Sequence, residues 1–578
     1  MALNMAPEKK ESKKTSKTSA DSAQGGREAI ESIVIAIVLA FLFRAFEAEA
    51  FVIPTGSMAP TLQGRHKDVE CPECSYQYRS GASIDTEVSE GPVVATTCPM
   101  CFYTYELESE DGSDISHTGD RILVNKFAYE APLGEPERWD VIVFKYPGNA
   151  KQNYIKRLVG LPNEVLKIRH GDIFIQKEAS GPFEIARKSP DKLIHMLQLV
   201  HDSDYVVPIL NKMGWPLRWQ STREDSSWTI DDGGRSFHAK ASGDLDWLRY
   251  QHFPIRFKEW GEIKQREREG DNSLGDLKAE PTLITDFYAY NTQSRQKRQQ
   301  ENGRDYFYFV HPTDRSADIG MHWVGDLAVE LQVEVVSDTG TMILDLVEAG
   351  RHHRCQIDLA TGTATLSIDD GQLAFDGGNT EATAQTNVSG PGSYDIRFSN
   401  VDNELLLWVN GRVCQFNEPT TYPVDPNSRP VTSDDEPGDL SPVGIGLKDA
   451  EVHVEGLRIY RDIYYVAGGI GGDYRPGGSS DIYGQLKDPK SWNQRGNIFD
   501  RRNELIFEMK EDQFFPLGDN SPYSRDGRLW GPDHWVDRDL LIGKAILIYW
   551  PHALRIPLPF TDRSIPALPN LKRMGLIR

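Results

Sequence analysis

The sequence predicts a mainly β protein of several domains, and three observations support this fold class. The chain has 578 residues, which at about 150 residues per domain gives about four domains, or fewer domains that carry large insertions. Glycine (49) and proline (34) are frequent, as in turn-rich β proteins. Val329, Leu331 and Val333 alternate with polar residues, which is the pattern of a half-buried strand.

The composition excludes several classes of protein. A hydrophobic content of 39% with 10% aromatic residues is enough for packed cores, so a wholly disordered chain is excluded. The net charge of −22 argues against nucleic acid as a partner, because binding phosphates requires a basic face. Six cysteines are too few for a disulfide-built scaffold of this length.

The N-terminal residues differ from the rest of the chain. Residues 1–28 carry five lysines between positions 9 and 17 and are predicted to be a disordered basic tail. The apolar run Ile33–Phe43 has 11 residues, whereas a spanning helix needs about 20. Extension to 29–48 includes Glu31 and Arg44 near the ends, where charges reach the membrane interface. The segment fits an uncleaved anchor, or a cleavable signal peptide that ends at Ala48-Glu49-Ala50.

The segments with candidate chemistry begin directly after this apolar run. Ser57 lies in Phe51–Leu62 (FVIPTGSMAPTL), and a serine in such a turn is a weak signal alone. Four further segments follow in order: Gly119–Tyr129 (GDRILVNKFAY), Arg138–Phe144 (RWDVIVF), Tyr154–Pro162 (YIKRLVGLP) and Gly518–Gly531 (GDNSPYSRDGRLWG).

This ordered set resembles the type I signal peptidases, which are membrane-bound serine proteases with a Ser/Lys dyad. The resemblance covers about residues 30–170 and 505–550. It implies a β catalytic domain behind an uncleaved N-terminal helix, which favours the anchor, and no cofactor for catalysis. The implied substrates are exported preproteins cut at Ala-x-Ala sites. The implied location is the lipid bilayer of the inner (plasma) membrane, crossed once, with a cytoplasmic N-terminus and an extracytoplasmic (periplasmic) catalytic domain.

The resemblance assigns Ser57 as the nucleophile and Lys156 as the general base. A serine hydroxyl needs an adjacent base to become a good nucleophile. A lysine can act as that base only when neutral, and its pKa is near 10.4 in water but falls by several units on burial. Leu158, Val159 and Leu161 make the segment around Lys156 apolar enough to supply such a pocket.

The resemblance also implies supporting roles. The Ser57 N–H and the Thr55 hydroxyl would form the oxyanion hole, and Ser524 would hydrogen-bond the Lys156 amine. Two ion pairs would hold the surrounding loop: Asp526 with Arg528, and Arg157 with Asp519. A surface network of charges is the alternative interpretation of these four residues.

Extended segments on both sides of the candidate nucleophile are predicted to bind the substrate. Residues around Phe51–Pro54 and Asn153–Ile155 would pair with a peptide by adding a strand. Small pockets would be lined by Ile53, Pro54, Met58, Tyr154 and Ile155. Core packing explains these apolar residues equally well when they are taken alone.

Two CxxC pairs lie in a predicted insertion over residues 67–104. Cys71-Pro-Glu-Cys74 and Cys98-Pro-Met-Cys101 are separated by 23 residues, similar to a zinc ribbon. We expect a structural zinc ion held by the four thiolates. Disulfides are the alternative, because thiols outside the cytoplasm tend to oxidise.

A larger insertion separates Lys156 from Ser524. Residues 319–462 show repeated strand alternation and an Asn410-Gly411 hairpin turn, which predicts a β-sandwich similar to laminin-G or concanavalin-like jelly rolls. Such modules often bind glycans or proteins, and a spacer is equally compatible with the pattern. Cys355 and Cys414 lie on separate predicted strands, and whether they pair stays open.

The sequence therefore predicts one catalytic unit divided by insertions. Its predicted parts are a tail (1–28), a transmembrane helix (29–48), catalytic segments (49–66, 115–177 and 505–578), the ribbon (67–104), an insertion without an assigned fold (178–318), the sandwich (319–462) and a linker (463–504). Two other functions are weighed: a Ser/Lys autoprotease of the repressor type, and a surface glycan- or protein-binding protein with a vestigial peptidase core. The membrane segment and the lack of a basic DNA-binding region argue against the first, and the intact Ser57, Lys156 and Ser524 argue against the second.

Overall fold

The structure is a computed structural model, and its architecture is mainly β, as predicted. It describes residues 30, 32–35, 48–83, 92–107, 116–130, 134–178, 180–301, 304–310, 320–468, 472–474, 482–557 and 564–578. Its α-helices are short and include Pro190–Met196, Pro208–Met213, Phe257–Glu269, Ile482–Lys487 and Pro489–Trp492. Within the described ranges, no helix is both long and apolar enough to cross a membrane. Most of the predicted transmembrane segment 29–48 lies outside the described residues, and Ala48 already begins a strand.

One antiparallel sheet collects strands from both ends of the chain, and we call it the split sheet. Its strands, in spatial order, are Ala48–Val52, Arg121–Asn125, Leu541–Trp550, Val141–Tyr146, Asn149–Gly160, Gln513–Leu517 and Val536–Asp537, and Gly575–Leu576 also pairs with Leu541–Trp550. Leu541–Trp550 thus lies between two strands from the first quarter of the chain. The predicted catalytic segments before and after the large insertion therefore share one sheet.

The strand Asn149–Gly160 changes character along its length. Its first five residues are exposed, and Lys156–Gly160 are buried. Its buried end pairs with Val141–Tyr146 on one side and with Gln513–Leu517 on the other. Because Leu158 and Val159 are fully buried, this end of the strand is anchored in the core. A smaller sheet beside it contains Glu184–Ile185, Asp172–Gln176, Val165–Arg169 and Glu504–Glu508.

Two sheets facing each other form the predicted β-sandwich. The first contains Thr229–Asp231, Ser236–Lys240, Glu451–Arg461, Leu327–Val335, Gly392–Val401, Glu404–Val409 and Arg412–Val413, with Gln198–Asp202 paired to Glu451–Arg461. The second contains Trp219–Ser221, Asp246–Tyr250, Val443–Lys448, Thr341–Glu348, Arg351–Asp358, Thr363–Ile368 and Glu381–Gln385.

The sequence patterns used to predict the sandwich match its burial. From Val329 to Val335, the apolar residues are buried and the alternating polar residues are not, as a sheet with one core face requires. Asn410 and Gly411 both have positive φ angles, 49° and 73°, and they join strands that pair directly across the turn. This is the two-residue hairpin that Asn-Gly favours.

The sandwich begins earlier in the chain than the predicted boundary at residue 319. Strands between residues 198 and 250 belong to both of its sheets. Two of these strands, Trp219–Ser221 and Thr229–Asp231, have only three residues each and lie at the sheet edges. Alternation cannot be recognised over three residues, so no fold was predicted for this region.

Described residues at both ends of the predicted linker 463–504 belong to packed cores. Ile463 and Tyr465 are buried beside the split sheet and the smaller sheet. Trp492 and Phe499 pack with Trp323 in a separate cluster. The aromatic and branched residues that make these contacts lie before and after the glycine-rich stretch 467–480, and the glycine content of the segment did not predict them.

Two hairpins lie in the segment for which a zinc ribbon is predicted. His66–Glu70 pairs with Gln77–Gly81, and Val93–Thr97 pairs with Thr104–Glu106. The second hairpin continues into Ser294–Glu301 and Arg304–Val310. A β-ladder therefore joins the ribbon to a distant part of the large insertion.

Candidate active site

Ser57 lies in a single 3-10 turn, Gly56–Met58, which follows the edge strand Ala48–Val52. Two buried neighbours hold the turn in place. The Ile53 N–H donates to the Asp120 carbonyl at 2.9 Å, and the Met58 side chain is completely buried. Ser57 itself is half-buried, so its hydroxyl lies at the border between the core and solvent.

Lys156 reaches this hydroxyl from the buried end of Asn149–Gly160. Its Nζ donates to Ser57 Oγ at 2.6 Å. The lysine is 4% exposed, and this burial lowers its pKa to about 8, although Asp526 and Asp519 act in the opposite direction. The two residues that the resemblance paired are therefore in direct contact, although 99 positions separate them in the sequence.

Both predicted ion pairs form, and both are buried. Arg157 binds Asp519 through two parallel contacts, Nε to Oδ1 and Nη2 to Oδ2, each 2.7 Å long. The Thr61 hydroxyl also donates to Asp519 Oδ2, at 2.6 Å. Bidentate pairs of this kind fix orientation as well as charge. Asp519 therefore connects the strand of Lys156 to the segment that follows Ser57.

The second pair, Asp526 with Arg528, organises the downstream loop. Arg528 Nη2 lies 2.7 Å from Asp526 Oδ2, and the same carboxylate accepts the Gly518 N–H at 3.0 Å. Burial would raise the pKa of Asp526, but Arg528 and Gly518 together lower it. Arg528 also donates to the Ser521 hydroxyl and carbonyl, each at 2.8 Å. These charges form an internal network, so the alternative of a surface network does not apply.

Ser524 lies beside the dyad without the hydrogen bond that was predicted. It is 3% exposed, and its hydroxyl has no partner among the described residues. A Cβ atom at Gly518 would overlap both the Ser524 hydroxyl and the Ser57 carbonyl, so glycine at 518 permits the close approach of the two serines. The expected hydrogen bond to the Lys156 amine is not formed, and that amine contacts Ser57 Oγ.

Thr55 precedes the turn in an extended conformation, with φ −122° and ψ 158°. Its side chain does not cap the turn, and the residue is exposed. The hydroxyl is therefore accessible from the same open side as Ser57.

The predicted substrate-binding residues divide into two groups. Ile53 and Met58 are 3% and 0% exposed and belong to the core. In this structure they pack beneath the Ser57 turn and do not face solvent. Pro54 is exposed, and Tyr154 and Ile155 are half-buried. Tyr154 stacks on Tyr146 with ring centroids 4.7 Å apart. Only this second group can contact a ligand without a rearrangement.

Two strand edges flank Ser57. Ala48–Val52 is a terminal strand of the split sheet and pairs only with Arg121–Asn125 among the described residues. On the other side, residues 153–155 pair with Val141–Tyr146, whereas the neighbouring Gln513–Leu517 pairs only with 157–160. Unpaired N–H and C=O groups at such edges can bind an extended peptide.

Three residues that the sequence reasoning missed hold the Ser57 turn. The Asn520 side-chain amide donates to the Gly56 carbonyl, and its backbone N–H donates to the Ser57 carbonyl, both at 3.1 Å. Asn520 also forms a reciprocal amide pair with Asn291, with contacts of 2.7 and 2.8 Å. The Tyr290 ring covers Gly56, where a Cβ atom would overlap it.

The sequence contains a signal for one of these three residues and none for the other two. Asn520 lies inside the recognised downstream segment Gly518–Gly531, so a supporting role for this polar residue could have been predicted. Asn291 and Tyr290 belong to the insertion without an assigned fold, in a short 3-10 turn, Ala289–Asn291. No periodicity or motif marks that turn.

The four cysteines of the ribbon meet at one point. Their Sγ atoms all lie within 4.8 Å of one another, and the pairs Cys71–Cys101 and Cys74–Cys98 are 3.5 and 3.6 Å apart. Four thiolates about 2.3 Å from a tetrahedral zinc ion would be separated by about 3.8 Å. All six cysteines of the chain are free thiols in this structure, including Cys355 and Cys414.

The two CxxC turns are alike in detail. In the first, the Cys71 N–H donates to the Tyr76 carbonyl and the Ser75 N–H donates to the Cys71 carbonyl, both within 2.9 Å. Cys98 makes the same two bonds with Tyr103 and Phe102. Ser75 and Phe102 both have positive φ angles, 61° and 59°. This pair of matching turns fits a structural metal centre with two knuckles.

Comparison with known proteins agrees with the motif evidence. The profile of the family "Signal peptidase, peptidase S26" matches residues 88–208, which include Lys156 and Arg157 but not Ser57. A Signal peptidase I from Pseudomonas aeruginosa is 41% identical over 73 residues, covering 11% of this chain and 26% of that protein. One from Bacillus caldolyticus is 30% identical over 92 residues, covering 16% and 48%.

Similarity among solved structures is weaker. A carbohydrate-binding module (CBM66) from Bacillus subtilis aligns with 42% of this chain and 93% of its own, at 7% identity and a TM-score of 0.21. A TM-score at that level supports no statement about a shared fold or ligand. The chain spans less than half the length of the two curated relatives above. Over the matched segments, the chain is recognised as related to the type I signal peptidases.

Proposed function

We propose that this protein is a membrane-anchored serine endopeptidase that removes signal peptides from exported preproteins with a Ser57/Lys156 dyad. The observation that carries the proposal is the 2.6 Å contact between Lys156 Nζ and Ser57 Oγ. Burial lowers the pKa of this lysine to about 8, so a substantial fraction of the amine is neutral near physiological pH. A neutral amine at hydrogen-bonding distance is the base that a serine nucleophile requires.

The first chemical step forms an acyl-enzyme. Ser57 Oγ attacks the scissile carbonyl carbon while the Lys156 amine accepts the hydroxyl proton. The resulting ammonium then gives a proton to the leaving amine as the peptide bond breaks. In the second step, Lys156 takes a proton from water as the water attacks the ester carbonyl. The Lys156 ammonium then returns that proton to Ser57 Oγ as the ester C–O bond breaks, which releases the acid product and restores both residues. One residue thus serves as base and acid in turn.

The oxyanion that forms in each step needs donors. The Ser57 N–H is one candidate, and the accessible Thr55 hydroxyl is the other. A single donor of this kind typically contributes about 3–4 kcal/mol to the transition state. The contacts from Asn520 to the carbonyls of Gly56 and Ser57 support this role, because they fix the turn that carries the Ser57 N–H.

Strand addition is the proposed mode of substrate binding. An extended signal peptide would lie between the segments 51–54 and 153–155, with Ser57 between them. The half-buried Tyr154 and Ile155, together with Pro54, would contact its side chains. Small side chains at these contacts are part of the proposal, as an Ala-x-Ala site requires.

The N-terminal segment supports an anchor in the membrane. Residues 30 and 32–35 are helical. Their apolar members Ile30, Ile33, Val34 and Ile35 are each more than half exposed to solvent. Exposed apolar side chains on a helix require a nonpolar environment, which a bilayer provides. We propose a single-pass orientation in the plasma membrane, with the lysine-rich tail inside and the catalytic unit outside.

A structural zinc ion is proposed for the four cysteines. The thiol separations and the matching knuckle turns support tetrahedral coordination. The metal would stabilise the ribbon and takes no part in the peptide-bond chemistry.

A ligand for the sandwich remains a proposal with one supporting observation. A cavity of about 240 Å³ lies where the sandwich meets the smaller sheet, lined in part by Trp323, Tyr422, Asp326 and Glu348. Aromatic rings combined with carboxylate acceptors suit a polyhydroxylated ligand such as a glycan. Calorimetry with oligosaccharides tests this proposal. If Glu348→Gln bound an oligosaccharide with wild-type affinity, this cavity would not be the binding site.

The experiment for the peptidase uses the full chain in detergent and a preprotein with an Ala-x-Ala site. Wild type should release the mature product, whereas Ser57→Ala and Lys156→Ala should not. Lys151→Ala is the matched control, because Lys151 lies on the same strand and is exposed. If wild type and the two dyad variants leave the preprotein equally intact, the proposal fails.

A further inference from the structure

A cluster of histidines lies close to the Ser57 turn and plays no part in the proposed mechanism. His66 begins the strand His66–Glu70, and Asp68 follows on the same strand. His552 comes from the other end of the chain, just after Leu541–Trp550. His66 and His552 are 0% and 2% exposed. Two buried imidazoles from segments 486 positions apart therefore meet within a folded core.

The hydrogen bonds of His66 define which nitrogen carries its proton. His66 Nδ1 lies 2.7 Å from the Gly64 carbonyl oxygen, which can only accept, so Nδ1 is the donor. His66 Nε2 then presents a lone pair. That lone pair faces His552 Nδ1 at 3.2 Å.

The contact between His552 and Asp68 shows that the cluster lacks one proton or one cation. His552 Nε2 lies at ion-pair distance from Asp68 Oδ2, 2.7 Å, but it makes no hydrogen bond among the described residues. A neutral imidazole carries one N–H, so His552 can satisfy either His66 or Asp68, but not both. Satisfying both requires a second proton on His552 or a cation bound between the rings.

The distances suit a metal ion. Ligand atoms about 2.0–2.1 Å from a tetrahedral zinc ion lie about 3.3 Å apart. His66 Nε2 is 3.2 Å from His552 Nδ1 and 3.6 Å from Asp68 Oδ1, so the two separations bracket that value. The bond from His66 Nδ1 to Gly64 also matches the usual pattern, in which a ligating histidine donates its other N–H to a carbonyl.

We propose that His66, Asp68 and His552 form a second metal site, which binds a zinc-like divalent ion through nitrogen and oxygen atoms. The His117 ring lies 4.5 Å from the His552 ring and pairs with His66 through the backbone, so it is the nearest candidate for a fourth ligand. Arg79 Nε donates to Asp68 Oδ1 at 3.1 Å, so a metal ion would compete with this arginine for the carboxylate.

Gly64 connects the proposed metal site to the turn that carries Ser57. A Cβ atom at Gly64 would overlap the Thr55 backbone, and the Gly64 carbonyl holds His66. A bound ion would therefore stiffen the segment against which Thr55 and Gly56 pack. This proposal does not depend on peptidase activity, since metal binding is measured directly.

The test measures zinc per chain after equilibration and dialysis of the full-length protein in detergent. His66→Gln and His552→Gln should each bind one equivalent less than wild type. His195→Gln is the matched control, because His195 is exposed and bonds only to its own helix carbonyl. Equal zinc in wild type and in both core variants would overturn the proposal.

X-ray absorption at the zinc edge keeps the proposal testable if the core variants fail to fold. Wild-type protein should show nitrogen or oxygen ligands in addition to sulfur. A spectrum with sulfur ligands alone would overturn the second site. Nitrogen NMR that shows His552 doubly protonated in the presence of excess zinc would do the same, because the cluster would then be completed by a proton.

Discussion

Asn291→Ala tests whether the large insertion positions the nucleophile. Asn291 and Asn520 exchange two amide hydrogen bonds of 2.7 and 2.8 Å. Asn520 is 3% exposed, so the substitution leaves its side-chain oxygen buried without a protein donor. The same Asn520 holds the carbonyls of Gly56 and Ser57. Loosening it should therefore let the Ser57 turn move.

The expected magnitude follows from the bonds that are lost. Two neutral hydrogen bonds contribute about 0.5–1.5 kcal/mol each, so about 1–3 kcal/mol of positioning is removed. If about 1.4 kcal/mol of this appears in the chemical step, kcat falls about tenfold. KM should stay close to the wild-type value, because Asn291 lies behind the turn and not along the open strand edges.

The assay is steady-state cleavage of a preprotein, with thermal unfolding measured in parallel. Asn211→Ala is the matched control, since Asn211 lies in the same insertion and donates one side-chain bond to Gly233 at 2.9 Å. That variant should retain wild-type kcat. A wild-type kcat in Asn291→Ala would refute the argument that the insertion positions Ser57. A loss of folded protein without a change in kcat per folded molecule would refute it as well.

Three further outcomes are expected. The cleavage rate should rise with pH to a plateau and be half-maximal near pH 8, because the pKa of Lys156 is about 8 and only the neutral amine accepts a proton. A maximum of the rate near pH 6 would contradict this role. Gly56→Ala should abolish most activity and lower Tm because the new methyl overlaps the Tyr290 ring, and Gly56→Ala with Tyr290→Ala should recover part of the lost Tm. Asp519→Asn should reduce the free energy of unfolding by about 3–5 kcal/mol, because Arg157 would remain buried without its counter-charge; a thermal unfolding curve that matches wild type would count against this.

The residues that belong to recognisable motifs were the most predictable from sequence. Ser57, Lys156 and the two ion pairs were found because several motifs occur in one order, and the structure brings them together across more than 450 positions. The roles that depend on side-chain direction were less predictable. Ser524 was expected to bind the Lys156 amine, but a motif specifies proximity and does not specify which neighbour a short hydroxyl contacts.

The fold shows the same limit at a larger scale. Long alternating strands such as Leu327–Val335 carry a clear pattern, since one face is core and the other is solvent. Three-residue strands such as Trp219–Ser221 are defined by their partners and not by their own residues. Asn291 acts on the candidate site through such irregular structure, so neither periodicity nor composition could predict it.

The position of Leu541–Trp550 in the split sheet has a consequence for biosynthesis. This strand fills the space between Arg121–Asn125 and Val141–Tyr146, and Asp519 completes the support of Arg157. A ribosome must therefore finish nearly the whole chain before the first strands can close around Ser57. The nascent chain therefore contains Ser57 and Lys156 before it contains the strand that joins the two parts of the sheet on which they lie.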